Sequence, residues 1–284
     1  RVDKSHLYLK TRDMKNIITL IIILSSWLTV YSQVNYTQAE LKLKCDSIIE
    51  ESNTLYRYEM AAWNFTDIFV TKPDIMETIQ SYLVYQQGDT IKCIVIDNQA
   101  QCTYEASFLY ETVPCAEVKA CRSLSEYEVR LIEAKKKIQS AFDDDKKYPV
   151  YGYKDFPLNW ILIPFKDGYK LYAISGTSKT RVIPFGNDYL FIANKKGEIQ
   201  SWKKFHSGLL PVETTDEVPM INFPIHSHLK QEPFISATDI CTFRLYYNQT
   251  GSTKFAVYSP ALSIYFIYKI ATNTITPTKD LDIQ

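Results

Sequence analysis

Glycine is scarce, with eight in 284 residues. The chain accordingly holds no phosphate-cradling loop and no dinucleotide fingerprint, both of which need glycines where the backbone must approach a phosphate closely. Gly-x-Ser-x-Gly and His-Glu-x-x-His are absent too, which removes the common serine-hydrolase and zincin readings. No Cys-x-x-Cys pair occurs, so a zinc ribbon is excluded. An excess of one charge is also lacking. Thirty-two basic residues meet 32 acidic ones, and nothing in that balance points to a nucleic-acid partner or an acidic membrane surface. No repeat of solenoid period is visible.

What remains is a core-forming chain, 46% hydrophobic, with six cysteines and 21 tyrosines. Its first methionine is Met14, followed by Lys15 and an apolar run over 17–30, with small residues at Val30 and Ser32. A positive start, a short apolar stretch and a small-residue cleavage site are the parts of a secretory signal peptide, and the run is too short for a membrane span. The expectation is translated upstream sequence over residues 1–13, a signal peptide from Met14 to residue 32, a mature start at Gln33, a secreted or periplasmic location and no membrane association after cleavage. In that oxidising setting the cysteines can pair. Cys115 and Cys121 are spaced for a small loop, and Cys93 and Cys102 flank a turn at Asp97-Asn98-Gln99.

Periodicity reads as an α+β chain in two parts. Over 36–62 the residues Leu41, Leu43, Ile48, Ile49 and Leu55 suit one side of a helix. Residues 90–96 and 102–110 have the β-branched and aromatic content of a hairpin, and Ser125-x-x-Glu128 is a capping box opening a helix through Leu131, Ala134, Ile138 and Phe142. The acidic, lysine-rich break at 143–147 is taken as the boundary between a 33–147 region and a 148–284 domain. Strands follow at 171–175, 181–185, 189–193 and 198–206, with a hairpin turn at Asn194-Lys-Lys-Gly197. A helix at 237–247 and strands at 254–258 and 262–269 complete the chain.

The most informative stretch is Ile225-His-Ser-His-Leu-Lys-Gln-Glu-Pro-Phe-Ile-Ser-Ala-Thr-Asp-Ile-Cys241. On a strand, residues two apart share a face, so His226 and His228 can offer both imidazoles to one metal ion. Ser236 and Asp239 also have the spacing of a helix cap, with Ser236 at the N-cap and Asp239 in the first turn. Together they spell His-x-His, seven residues, Ser, two residues, Asp. This resembles the JAMM motif of JAB/MPN-type zinc metalloproteases, the class that includes deubiquitinating isopeptidases. The resemblance implies a JAB/MPN-like mixed sheet with helices, zinc held by His226, His228 and Asp239, Ser236 as the oxyanion helper, and a peptide or protein as substrate or ligand. It departs from the family in having Leu229 where Pro is usual, and no Glu lies between Glu133 and Glu198 to serve as the upstream general base. Asp167, Asp188, Glu198 and Glu213 are the substitutes, and a non-catalytic binding or structural module on the same scaffold is the alternative.

Gly186-Asn-Asp-Tyr189, Lys204-Phe-His206 and the His-Ser-His segment are also similar to a group of uncharacterised exported bacterial proteins, which implies export and adds no chemistry. By itself His206 reads as an extra ligand or as the surface end of a strand, and Asp188 as a turn residue.

Overall fold

The computed structural model describes residues 36–109, 113–143, 147–213 and 223–281. The expected leader lies outside these residues. So does most of the acidic loop after residue 213. No helix among the described residues is long and apolar enough to cross a membrane.

The fold is α+β. Helix α1 (Gln38–Phe69) begins at a capping box, where Thr37 accepts from Glu40 N and the Glu40 carboxylate accepts from Thr37 N. No glycine or proline interrupts it until Pro73, which opens the short helix α2 (Pro73–Met76). Leu55, Tyr58, Ala61, Phe65 and Phe69 recur at helical spacing, and all are buried. They pack on an antiparallel sheet ordered β1 (Ile79–Gln87), β2 (Thr90–Asp97), β3 (Gln101–Phe108), β4 (Pro114–Ser123). Of these strands only the β2–β3 hairpin is legible from composition.

Helix α3 (Glu126–Asp143) starts at Ser125 with both bonds of its capping box in place. Its Leu131 and Ile138 pack against a second antiparallel sheet, ordered β5 (Leu158–Phe165), β6 (Gly168–Ser175), β8 (Tyr189–Asn194), β9 (Ile199–Lys204). β7 (Val182–Gly186) leaves that sheet to pair with β10 (Leu209–Glu213). The last sheet is mixed. β11 (Ile225–Ser227) runs parallel to β12 (Lys254–Ser259), which continues antiparallel through β13 (Ile264–Lys269) and β14 (Thr274–Thr278). Helix α4 (Ala237–Tyr246) connects β11 to β12, the helical crossover that a parallel pair requires.

The core draws on both sides of the 143–147 break. Leu55 and Phe65 share a cluster with Tyr172 and Ile174, while Leu41 and Cys45, near the other end of α1, share one with Ile240 and Phe243. At 32 residues α1 is about 48 Å long. That length lets its C-terminal half cover the first sheet while its N-terminal half packs on α4.

The disulfide expectation is corrected, since all six cysteines are free thiols. Cys115 and Cys121 lie on the same extended strand, roughly 20 Å apart at the rise of a β-strand, far beyond the ~7 Å that a disulfide allows. Cys93 faces Ala106 across the β2–β3 ladder, and Cys102 faces Ile96.

Candidate metal centre

Three segments converge beside α4. The first is the β11 strand end. His226 lies on β11, and His228, one residue beyond it, keeps the ladder going by donating its N–H to Tyr258 O at 3.0 Å. Both rings therefore turn to the same side, with centroids 5.4 Å apart. The second is the start of α4. Ser236 is its N-cap, with Ser236 Oγ accepting from Asp239 N at 3.0 Å and Asp239 Oδ2 accepting from Ser236 N at 2.9 Å. The cap reading of Asp239 is thus met, and its carboxylate also faces the histidines, Oδ1 towards His206 and His226 and Oδ2 towards His228.

The third segment is the β8–β9 end, and it supplies what sequence reasoning placed elsewhere. His206 is not on the surface; it is 1% exposed. Asp188 is buried beside it, its Oδ1 only 2.6 Å from His206 Nδ1. Gly186 and Asn187 bring Asp188 there by turning through the left-handed region, at φ +76° and +51°. Asn187 is fixed by donating N–H to Gly208 O at 2.9 Å and Nδ2 to Tyr151 O at 2.9 Å. Because β8 and β9 pair antiparallel, Asp188 and His206 become neighbours at one end of the ladder, where Phe205 N donates to Asp188 O. Thr238, in the first turn of α4, donates its hydroxyl to the other Asp188 oxygen.

His206, His226, His228 and Asp239 each offer one donor atom, and the four atoms lie within 4.8 Å of one another. His206 Nε2 is 3.2 Å from His226 Nε2, and each of these is 3.2 Å from Asp239 Oδ1. His228 Nε2 is 3.0 Å from Asp239 Oδ2. A tetrahedral zinc site with bonds of about 2.0–2.1 Å has donor–donor edges of about 3.3–3.4 Å. Near-contact of ring nitrogens at that spacing is what a shared cation produces.

Hydrogen bonding alone does not account for the cluster. His226 Nδ1, both ring nitrogens of His228 and Asp239 Oδ1 are buried without a hydrogen-bond partner. The short His228–Asp239 approach lacks the direction of an N–H···O bond. Leaving such atoms unpaired costs about 1–3 kcal/mol each. The walls are apolar, with Phe185 5.0 Å from the His226 ring and Phe255 stacked on it at 6.2 Å. A divalent ion balanced by Asp239 and Asp188 would leave this interior electrically neutral, as burial requires.

Within the cluster the imidazoles and carboxylates shift one another. Burial works against charging His206, but Asp188 and Asp239 outweigh it and hold its pKa well above the ordinary value. Burial lowers that of His226. Burial would raise Asp239, yet the three imidazoles hold it well below the usual carboxylate range.

The other acidic residues considered as bases do not join the group. Asp167 is exposed in the β5–β6 turn, and Glu213 is exposed at the end of β10. Glu198 caps the β8–β9 turn through Asn194 and lies 3.5 Å from Lys137. Asp188 comes close, but both its oxygens are committed to His206 and Thr238. Ser236 Oγ is turned into the cap, 2.7 Å from both Thr238 Oγ1 and Asp239 Oδ2. Compared with family models, curated proteins and solved structures, the chain matches none.

Proposed function

We propose that this chain is an exported binding or structural module on a JAB/MPN-like scaffold, in which a zinc ion ties β11, the start of α4 and the β8–β9 end together without catalysing hydrolysis. The single observation that carries this reading is His206. It brings a third imidazole to the two histidines and the aspartate of the motif, giving four protein donors. A catalytic zinc site keeps one position for water, whereas a structural site fills all four. Zinc suits the donor set, three imidazoles and a carboxylate, and Asp188 supplies the carboxylate that fixes the His206 tautomer so that Nε2 is free to ligate. Among the described residues no free carboxylate stands at the buried site to take a proton from water.

The metallopeptidase reading keeps one support, the 14-residue match from His226 to Asp239, and needs His206 to leave the ion. Metal analysis and peptide-library digestion of the purified chain separate the two. The expected result is one zinc per chain and no metal-dependent cleavage. Asp188→Asn should weaken zinc binding about 10- to 100-fold. Chelator-sensitive cleavage by the unaltered chain would establish the hydrolase instead. Absence of any stoichiometric metal, even after reconstitution, would end both readings.

A further inference from the structure

Among the described residues, strand β4 is an edge of the first sheet, with β3 as its one neighbour in the sheet order. Most of its side chains are exposed, Val118 at 52% among them. An open strand edge presents unpaired backbone N–H and C=O groups and is a template for another strand. Which strand fits is written in β4 itself. In an antiparallel two-fold pairing centred on one residue, positions equally far on either side face each other across the axis. Centred on Val118, such a pairing sets Val118 against Val118, Glu117 against Lys119, Ala116 against Ala120 and Cys115 against Cys121. Every pair is complementary. Apolar meets apolar, acid meets base twice, small meets small, and thiol meets thiol twice.

We infer that β4 is a self-association surface, pairing antiparallel with β4 of a second copy about Val118 to join two four-stranded sheets into one. The observations favour this occupant because the charges are self-complementary at one register only. Shifting the centre to Glu117 or Lys119 would place like charges opposite each other, which is destabilising in a sheet. The charged pair is also available. Glu117 lies 3.5 Å from Lys72 and beside Tyr104, and Lys119 lies 2.6 Å from Asp74 in an exposed pair. The strand is irregular at its cysteines, where an extra β4 residue interrupts the ladder beside Ser107/Phe108 and again between Cys102 and Tyr104. Between the bulges the strand is regular over 116–119, which includes the Glu117–Val118–Lys119 centre of the pairing, and Cys115 and Cys121 lie at the bulges that flank it.

The cysteines make the register measurable. Residues opposite each other in an antiparallel pair have Cα atoms about 4.5–5.5 Å apart, within the range a disulfide spans. With oxidised glutathione as oxidant, each Cys115–Cys121 bond forms from two thiols, and the two protons and two electrons pass to the glutathione disulfide, giving two glutathione thiols. Light scattering of the full chain should show a concentration-dependent dimer, and oxidation should yield a covalent dimer whose linked peptides join Cys115 to Cys121. Cys115→Ser alone and Cys121→Ser alone should each fail to cross-link, while an equimolar mixture of the two variants should cross-link. Glu117→Lys should weaken the dimer at least tenfold, and Glu117→Lys with Lys119→Glu should restore it. A monomer at all concentrations, cross-linking of either single variant by itself, or no restoration by the charge swap would overturn the proposal.

Discussion

Glu59 shows how much one buried group sets the response of this protein to pH. It sits on α1 facing β5, where Asn159 Nδ2 donates to its Oε2 at 3.0 Å. Burial pushes its carboxyl up to about 7 from the ordinary 4.5, against the pull of Asn159 and Lys135. Between those pH values the folded chain holds a proton that the unfolded chain has released. Its contribution is fully present below about 4.5 and is lost as pH rises through about 7, so stability falls over that window. The loss is of order 3 kcal/mol at most. Glu59→Gln should abolish this part of the pH dependence and leave the variant more stable than the parent at pH 8, with little difference at pH 4.5. Urea midpoints at the two pH values test it, and equal midpoints for parent and variant at pH 8 would show that the carboxyl is not buried as described.

At the scale of elements, the metal centre depends on two turns and a cap more than on any regular strand. Gly186 is the clearest case. Its φ is +76°, and a Cβ there would lie 2.3 Å from Gly208 O, the carbonyl that Asn187 N must reach. Backbone strain of this kind costs roughly 1–3 kcal/mol before the clash is added. Gly186→Ala should therefore lower stability by more than about 2 kcal/mol and, because Asp188 lies two residues on, reduce zinc per chain as well. Denaturant unfolding and metal analysis of one preparation read both effects. A variant that loses stability while retaining full zinc would separate the turn from the site.

Over the whole molecule, α1 is the member that makes the described residues cooperate. Its Leu55 is fully buried in a cluster containing residues of the first and second sheets, while Leu41 and Cys45 belong to the cluster around α4. The buried ion pair of Arg122 and Glu128 adds a second link, from β4 to α3, with contacts of 2.8 and 2.9 Å. A helix shared in this way couples the opening of the sheets it covers. Near-ultraviolet circular dichroism and tryptophan fluorescence should report one coincident thermal transition for the zinc-loaded protein. Leu55→Ala should move that whole transition down, by about 2–5 kcal/mol or roughly 5–15 °C. Two separate transitions, only one of them moved, would mean that the halves on either side of the 143–147 break unfold independently.

The sequence by itself determined what depends on neighbours along the chain. Capping at Ser125 and Ser236, the turn at Asn194–Gly197, the helix from residue 38 and the β2–β3, β6, β8 and β12 strands all follow from spacing, since a helix or hairpin is specified by residues within a few positions. The pairing of His226 and His228 with Asp239 was legible for the same reason, because one strand end and the next helix start carry all three. Tertiary structure alone decided the rest. Edge strand β1 carries polar residues on both faces, so no alternation marks it, and β4 alternates only over the short run 116–120. The cysteines remain unpaired because strands extend the spacings that looked like loops. His206 and Asp188 lie 18 residues apart and meet through an antiparallel ladder whose register no local pattern states. That register adds His206 to His226, His228 and Asp239 as a fourth candidate donor, because a cluster of donors is made by atoms close in space and is indifferent to their order along the chain.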